Sequence, residues 1–296
     1  MRRAAWLAVA VSFAAGCETG FETQSLVIDL RVLAVRSDPA EVVVDVDPDD
    51  LASVQLPSVT FTALLADPAG PRPLEYTWTA CPETMSLRCD DPDVTFSLQF
   101  GGGTTDVSVE PSATLQVNLP LLMAALEQDE FLGLGGIPVI AELVLRAPDG
   151  NVIHAAKRIF FGPRVPPEKV ANLNPTLAEL RARDAPFPEE TALVVTRLEE
   201  IELMPVEPPD AREVYVVPTL DGGSRTFTEN LRYSWLATGG TFKDEFTGGA
   251  TDIFGNTPLL QTRWTAPGEP GSITLWLVQR DERGGTSWTR RTVQVQ

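Results

Sequence analysis

The sequence predicts an all-β protein built as two tandem β-sandwich domains, the first carrying a short helical insertion. Three observations predict it. Short apolar segments rich in β-branched residues are punctuated along the whole chain by 25 Pro and 22 Gly, the pattern of many strands and turns. The motif L-x-Y-[S/T]-W-x-A occurs at Leu74–Ala80 and returns at Leu231–Ala237, 157 positions later, with similar flanking segments in the same order. Finally, 296 residues are more than one hydrophobic core usually organises, so two domains are the natural division.

Composition narrows the partners before any motif is read. A hydrophobic content of 43% is globular and not that of a disordered chain. Against 41 Asp plus Glu stand 23 Lys plus Arg, a net charge of −18. Such a field repels phosphate backbones and anionic lipid headgroups, so nucleic acid is not an expected partner.

The N-terminus reads as an address. Arg2 and Arg3 precede an apolar run, Ala4–Ala15, too short to cross a bilayer but suited to a secretory signal peptide. Its end, Ala14-Ala15-Gly16-Cys17, resembles the bacterial lipoprotein lipobox, with Ala14 where Leu is usual. The resemblance implies that residues 1–16 are removed, that Cys17 carries lipid, and that the chain is exported and membrane-anchored. Glu18 then favours the outer membrane, and residues 17–25 form a short tether.

The first domain is expected over residues 26–162. It opens with Leu30-x-x-Leu33-x-Val35-Arg36-x-x-Pro39, a β-branched segment that reads as a strand. The acidic run Asp45–Asp50 follows, and Asp45, Asp47, Asp49 and Asp50 are weak candidates for Ca²⁺, the one cofactor in question. The run departs from an EF-hand, with Asp50 in place of the turn Gly, Pro48 inside the loop and Leu56 where the bidentate Glu belongs, so a solvated loop is the plainer expectation. Tyr76 and Trp78 then mark a central strand. Cys81 and Cys89 flank a turn-like segment and, in an exported chain, are expected to form a disulfide worth about 2.5 kcal/mol in the chain-entropy model. Asn118 as cap, Pro120 in the first turn and the run Leu121–Glu127 predict a helical insertion at about 118–130. A strand, a Gly turn and a second strand close the domain over Ile140–Phe161.

That last strand holds His154, the sole histidine. No G-x-S-x-G elbow accompanies it, no phosphate-binding loop occurs, and no feature selects a catalytic pair from 41 acids. No catalytic residues are expected, and a non-enzymatic protein is.

Four prolines in GPRVPPEKVANLNP stiffen the connection, and the linker is placed at 163–173. The second domain, 174–296, begins with Leu177-x-x-Leu180-x-Ala182-Arg183-x-x-Pro186, offset by 147 from its counterpart. Asn174-Pro175 looks like a helix cap, but the β-branched partner segment argues for a strand. Tyr233 and Trp235 mark the second central strand, and Ile273–Val295 repeats the closing strand pair, with Arg280 134 positions after Arg146. Since the aromatic motif is offset by 157, the second copy has extra residues before that strand and the first has extra residues after it.

Tyr233-Ser234-Trp235, then Trp264-Thr265-Ala266-Pro267, then Val278-Gln279-Arg280-Asp281-Glu282-Arg283-Gly284-Gly285 resemble bacterial immunoglobulin-like and PKD-type domains. The first copy departs at its hairpin, Arg146-Ala147-Pro148-Asp149-Gly150. The resemblance implies Tyr76, Trp78, Tyr233 and Trp235 as core residues of a scaffold, and a scaffold does not specify function. Alternation along the last two strands puts Ile273, Leu275 and Leu277 on one face and Trp276, Val278 and Arg280 on the other, with Trp288 and Arg290 beside them. Trp276, Arg280, Trp288 and Arg290 are therefore a candidate patch for a sugar or a partner protein, or cover for the other domain. The functional expectation is a lipid-anchored cell-envelope binding or structural protein presenting its domains to a protein or glycan. The alternatives are a carbohydrate-binding accessory or divergent hydrolase, and a subunit of an envelope complex.

Overall fold

The computed structural model describes residues 23–45, 55–219 and 221–296, and within them the chain is all-β apart from one helix. In chain order the first half comprises β1 (Arg31–Asp38), β2 (Val42–Val44), β3 (Val59–Ala66), β4 (Leu74–Pro82), β5 (Leu98–Thr105), β6 (Ser112–Leu115), α1 (Leu119–Gln128), β7 (Ile137–Arg146) and β8 (Val152–Pro163). The second half comprises β9 (Glu179–Ala182), β10 (Ala185–Pro186), β11 (Leu193–Val195), β12 (Glu200–Val206), β13 (Val214–Pro218), β14 (Ser224–Thr228), β15 (Arg232–Ala237), β16 (Thr241–Phe242), β17 (Phe246–Gly248), β18 (Thr262–Thr265), β19 (Gly271–Arg280) and β20 (Thr286–Val295).

Each half packs two sheets face to face. In the first, the order β2-β8-β7-β4-β5 faces β1-β3-β6; in the second, β11-β20-β19-β15-β17 faces β10-β9-β12-β18-β16. The two aromatic strands, β4 and β15, hold corresponding places, each next to an edge strand. Residues 177–186, with their helix-like cap, form β9 and β10, because Glu179–Ala182 is held by a ladder to β12.

Separate apolar cores fill the two sandwiches. Trp78 is fully buried between the sheets, with Phe61 and Phe100 at ring-centroid distances of 6.0 and 6.1 Å, and Tyr76 packs at the margin. Tyr233, Trp235 and Trp264 are its buried counterparts in the second core. Close approach of the sheets dictates Gly101: a Cβ there would lie 2.3 Å from that of Ala113. Gly240 is required differently, since its φ of +79° suits glycine and a Cβ would meet the Thr265 carbonyl at 2.5 Å.

The unequal repeat offsets have visible causes. Extra residues before the second aromatic strand form the β13–β14 hairpin, where Tyr215 stacks on Phe227 at 5.6 Å. Extra residues after the first aromatic strand form α1 and the turn that follows it. Asn118 accepts the Leu121 N–H at 3.0 Å, a cap worth about 1 kcal/mol, and Leu121, Leu122 and Ala125 bury the inner face of the helix. The Cys81–Cys89 disulfide closes its loop with a Cα–Cα distance of 5.5 Å.

The two central tryptophans differ in one respect that stability measurements will detect. Trp235 donates its indole N–H to Thr247 Oγ1 at 2.9 Å, whereas the Trp78 indole N–H is buried without an acceptor. Phe in place of either removes similar volume. Trp235→Phe additionally orphans Thr247, so it should cost about 1 kcal/mol more than Trp78→Phe. Urea unfolding of the two variants checks this; equal losses would show that the hydrogen bond contributes nothing.

Candidate functional site

The face of β19–β20 that points away from the second core carries Trp276, Val278 and Trp288, with Trp276 opposite Arg290 and Val278 opposite Trp288 in the ladder. In the folded chain this face lies against the first half. Trp276 and Val278 are buried with Val27, Leu33, Ala34, Leu64 and Ala66, and Trp288 packs at their edge. Arg280 donates to Ser234 Oγ at 3.2 Å and to the Leu33 carbonyl at 3.1 Å, and its burial lowers its pKa. The Arg36 guanidinium sits 4.9 Å over the Trp288 ring, whose N–H reaches Glu110 at 2.7 Å. Arg290 alone of the four patch residues is exposed. What remains open is a cleft of about 410 Å³ between the halves, where Trp276, Trp288 and Arg290 meet Asp67 and Glu110. One signal for this burial was present in the sequence: β3 ends in Ala-Leu-Leu-Ala, apolar at consecutive positions, as only a strand covered on both faces should be.

The turn joining β19 to β20 carries the polar part of this junction. Arg283 pairs with Glu41 of the first half at 2.7 Å and with Glu229 and Glu213 of the second at 3.3 and 3.5 Å. It also donates to the Val170 carbonyl in the connecting segment and lies 4.7 Å over the Tyr215 ring. Glu41 pairs with Lys169 at 3.0 Å, and Asp281 accepts from the Asn172 amide at 3.2 Å. From the first half, Lys157 donates to the Gly284 carbonyl and to Thr286 Oγ1. Carboxylates outnumber cations around Glu229. Desolvation, and then the charge of Asp281, push its pKa up to about 7 despite Arg283. Desolvation lowers that of Lys157 to about 8.

His154 and Glu142 have a structural placement. Glu142, buried on β7, accepts from His154 Nδ1 at 2.8 Å, and its other oxygen accepts the Cys89 N–H at 2.8 Å. The pair thus fastens the disulfide loop to the sheet. Asp45 pairs with Arg164 at 2.7 Å; Asp47, Asp49 and Asp50, and Cys17 with the rest of the N-terminal segment, lie outside the described residues. Among the described residues no three His, Cys, Asp or Glu side chains are grouped to hold a metal ion, and no helix is long and apolar enough to cross a membrane. Thr23–Val27 reach the second half, where Ala237 donates to the Ser25 carbonyl and Val27 donates to the Ala237 carbonyl, both at 2.8 Å.

A second opening, of about 640 Å³, lies beside α1, and sequence reasoning missed it. The disulfide loop forms one wall, with Met85 fully exposed, and the turn after α1 forms the other, with Phe131 and Leu134 exposed. Pro138 and Phe160 lie at its base. Gln128 ties the walls together by donating to the Asp93 carbonyl at 2.8 Å. Five carboxylates line the groove, and of these only Glu83 is paired with a cation, Arg158, among the described residues. The available signal was Asp129-Glu130-Phe131-Leu132, acids beside large apolar residues in a loop with no core to enter.

No family model matches the chain, and no curated protein matches it. Solved structures with partial similarity include a nucleoside hydrolase-related hypothetical protein from Saccharophagus degradans, at 14% identity and TM-score 0.21 over 35% of this chain and 21% of that one. Red sea bream transglutaminase follows at 12% identity and TM-score 0.26, over 90% of this chain and 31% of that one. The Yersinia pseudotuberculosis adhesin InvE has 14% identity and TM-score 0.21, over 88% of this chain and 58% of that one. The chain thus spans less than two thirds of the length of each, and similarity this low carries no argument about activity or partner.

Junction electrostatics make a pH prediction. Glu229 holds its proton up to about pH 7 when folded, but in the unfolded chain it releases it near the ordinary value of 4.5. The native state therefore binds the extra proton in that window, and stability falls as pH rises through it. Lys157 acts oppositely above it, since the unfolded chain keeps its proton to 10.5 and the folded one only to about 8, so stability rises there. Glu229→Gln should abolish the fall between pH 5 and 7 and raise stability at pH 8 by roughly 2 kcal/mol. Urea midpoints across that range measure it; an unchanged pH profile would refute the assignment.

Proposed function

We propose that the protein is a lipid-anchored component of the bacterial cell envelope, built on two immunoglobulin-like domains, which binds a partner protein without turning it over. The observation that carries this reading is the groove beside α1. It is the more voluminous of the two openings described, and it is formed by the disulfide loop and the helical insertion, which the second half lacks. Exposed Met85 and Phe131 on walls held by a disulfide and a capped helix suit a preformed docking surface. The lipobox-like Ala14-Ala15-Gly16-Cys17 supports the anchor.

A second reading, glycan binding, has its own observation: the cleft between the halves, where Trp276 and Trp288 line an opening with Arg290, Asp67 and Glu110 at hand for hydroxyl groups.

Photo-crosslinking in native membranes separates the two. A photoreactive residue in place of Phe131 should give a discrete protein adduct, and one in place of Thr289 in the cleft should give none. An adduct from the cleft position only would overturn the groove assignment. In parallel, radioactive palmitate should label the chain and not its Cys17→Ala variant; an unlabelled unmutated chain would remove the anchor.

A further inference from the structure

The groove beside α1 combines an apolar base with an acidic rim, and the combination selects a class of partner. Half-buried Phe160 offers apolar surface at the base, backed by buried Ala125 and Pro138, while Met85, Phe131 and Leu134 project apolar side chains from the walls. Around them, Asp91, Asp93, Asp129 and Glu130 have no cation in ion-pair contact among the described residues. Asp91 is held ionised by hydrogen bonds from Ser86 Oγ and the Asp93 N–H, which lower its pKa. Gln128 Nε2 is used on the Asp93 carbonyl and holds the two walls together. An occupant must therefore bring apolar groups for the base and positive charge for the rim.

Anionic lipid, nucleic acid and acidic peptides fail on charge, and a small hydrophilic cation leaves the apolar surface uncovered. A peptide chain that mixes basic and apolar side chains meets both demands. The site is also held in advance. Cys81–Cys89 constrains the loop that bears Glu83 and Met85, Asn118 caps the helix, and the Asp129 carboxylate accepts the Gly133 N–H to set the turn that bears Phe131. Such walls lose little conformational entropy on docking.

We propose that the groove docks a cationic amphipathic segment of a partner protein, with lysine or arginine facing Asp93, Asp129 and Glu130 and aliphatic or aromatic side chains on the apolar base. This rests on the assignment of the groove as the partner site.

The test is fluorescence anisotropy on the purified chain with three fluorescein-labelled peptides of equal length. One alternates lysine with leucine and phenylalanine; one replaces each lysine by glutamate; one keeps the lysines but replaces the apolar residues by serine. Only the first should bind appreciably, and its affinity should fall with added salt. Asp93→Asn with Glu130→Gln should weaken it by about tenfold, and Phe131→Ser by a similar factor. All three positions are solvent-facing, and circular dichroism verifies that the variants fold. Asp184→Asn with Glu190→Gln, acids of the second half, should leave affinity unchanged, which separates docking from general attraction to an acidic protein. Equal binding of both lysine peptides, or equal loss in the second-half variant, would overturn the proposal. So would absence of binding to the first peptide. If that absence accompanies an adduct at Phe131 in native membranes, the partner class is wrong and the groove assignment stands; if no adduct forms, both fall.

Discussion

A β hairpin that is apolar on both faces has to be covered on both, and β19–β20 is such a hairpin. Leu275, Leu277, Val293 and Val295 close the second core, while Trp276, Val278 and Trp288 require an outside partner that the first half supplies. Burying one large aromatic side chain contributes roughly 2–3 kcal/mol, comparable to a sizeable fraction of a domain's net stability. The orientation of the halves, the narrowness of the cleft between them and the course of the connecting segment all follow from covering that face. The segment before β1 joins the same arrangement, since Val27 belongs to the apolar cluster and Ser25 bonds to the end of β15.

Charge at the hairpin turn refines what apolar burial brings together. Arg283 is held by three carboxylates and a carbonyl, and Glu41, Glu229 and Lys169 are buried around it. Desolvating so many ions offsets much of their mutual attraction, so the cluster is better understood as setting a unique approach of the halves than as a large net stabilisation. The elevated pKa of Glu229 is the residue of that imbalance. By contrast the groove beside α1 keeps Asp93 and Glu130 exposed at the surface.

Much of the frame was legible. The repeated aromatic motif, the Pro and Gly punctuation, the capped helical insertion and the two closely spaced cysteines each report a local rule, and the all-β sandwich, α1 and the disulfide follow from them. Even the override at Asn174-Pro175 depended on comparing two short segments. The candidate sites were less legible. Alternation placed Trp276 and Trp288 on a shared face, and Ala-Leu-Leu-Ala marked β3 as covered on both sides, but neither pattern showed that these two faces would meet. The groove was missed because its walls come from residues 83–93, 128–134 and the β7–β8 pair, segments whose meeting depends on a disulfide, a helix and a ladder together.

By itself the sequence determined the all-β class, which way side chains point along the closing strands, where the helix starts and which cysteines pair, because periodicity, capping and loop closure act over a few residues. Only the tertiary structure decided which exposed-looking faces are covered and which stay open. Burial depends on what arrives from elsewhere in the chain, and no local pattern encodes the arrival of β1 and β3 on the outer face of β19–β20, or the empty space left beside α1.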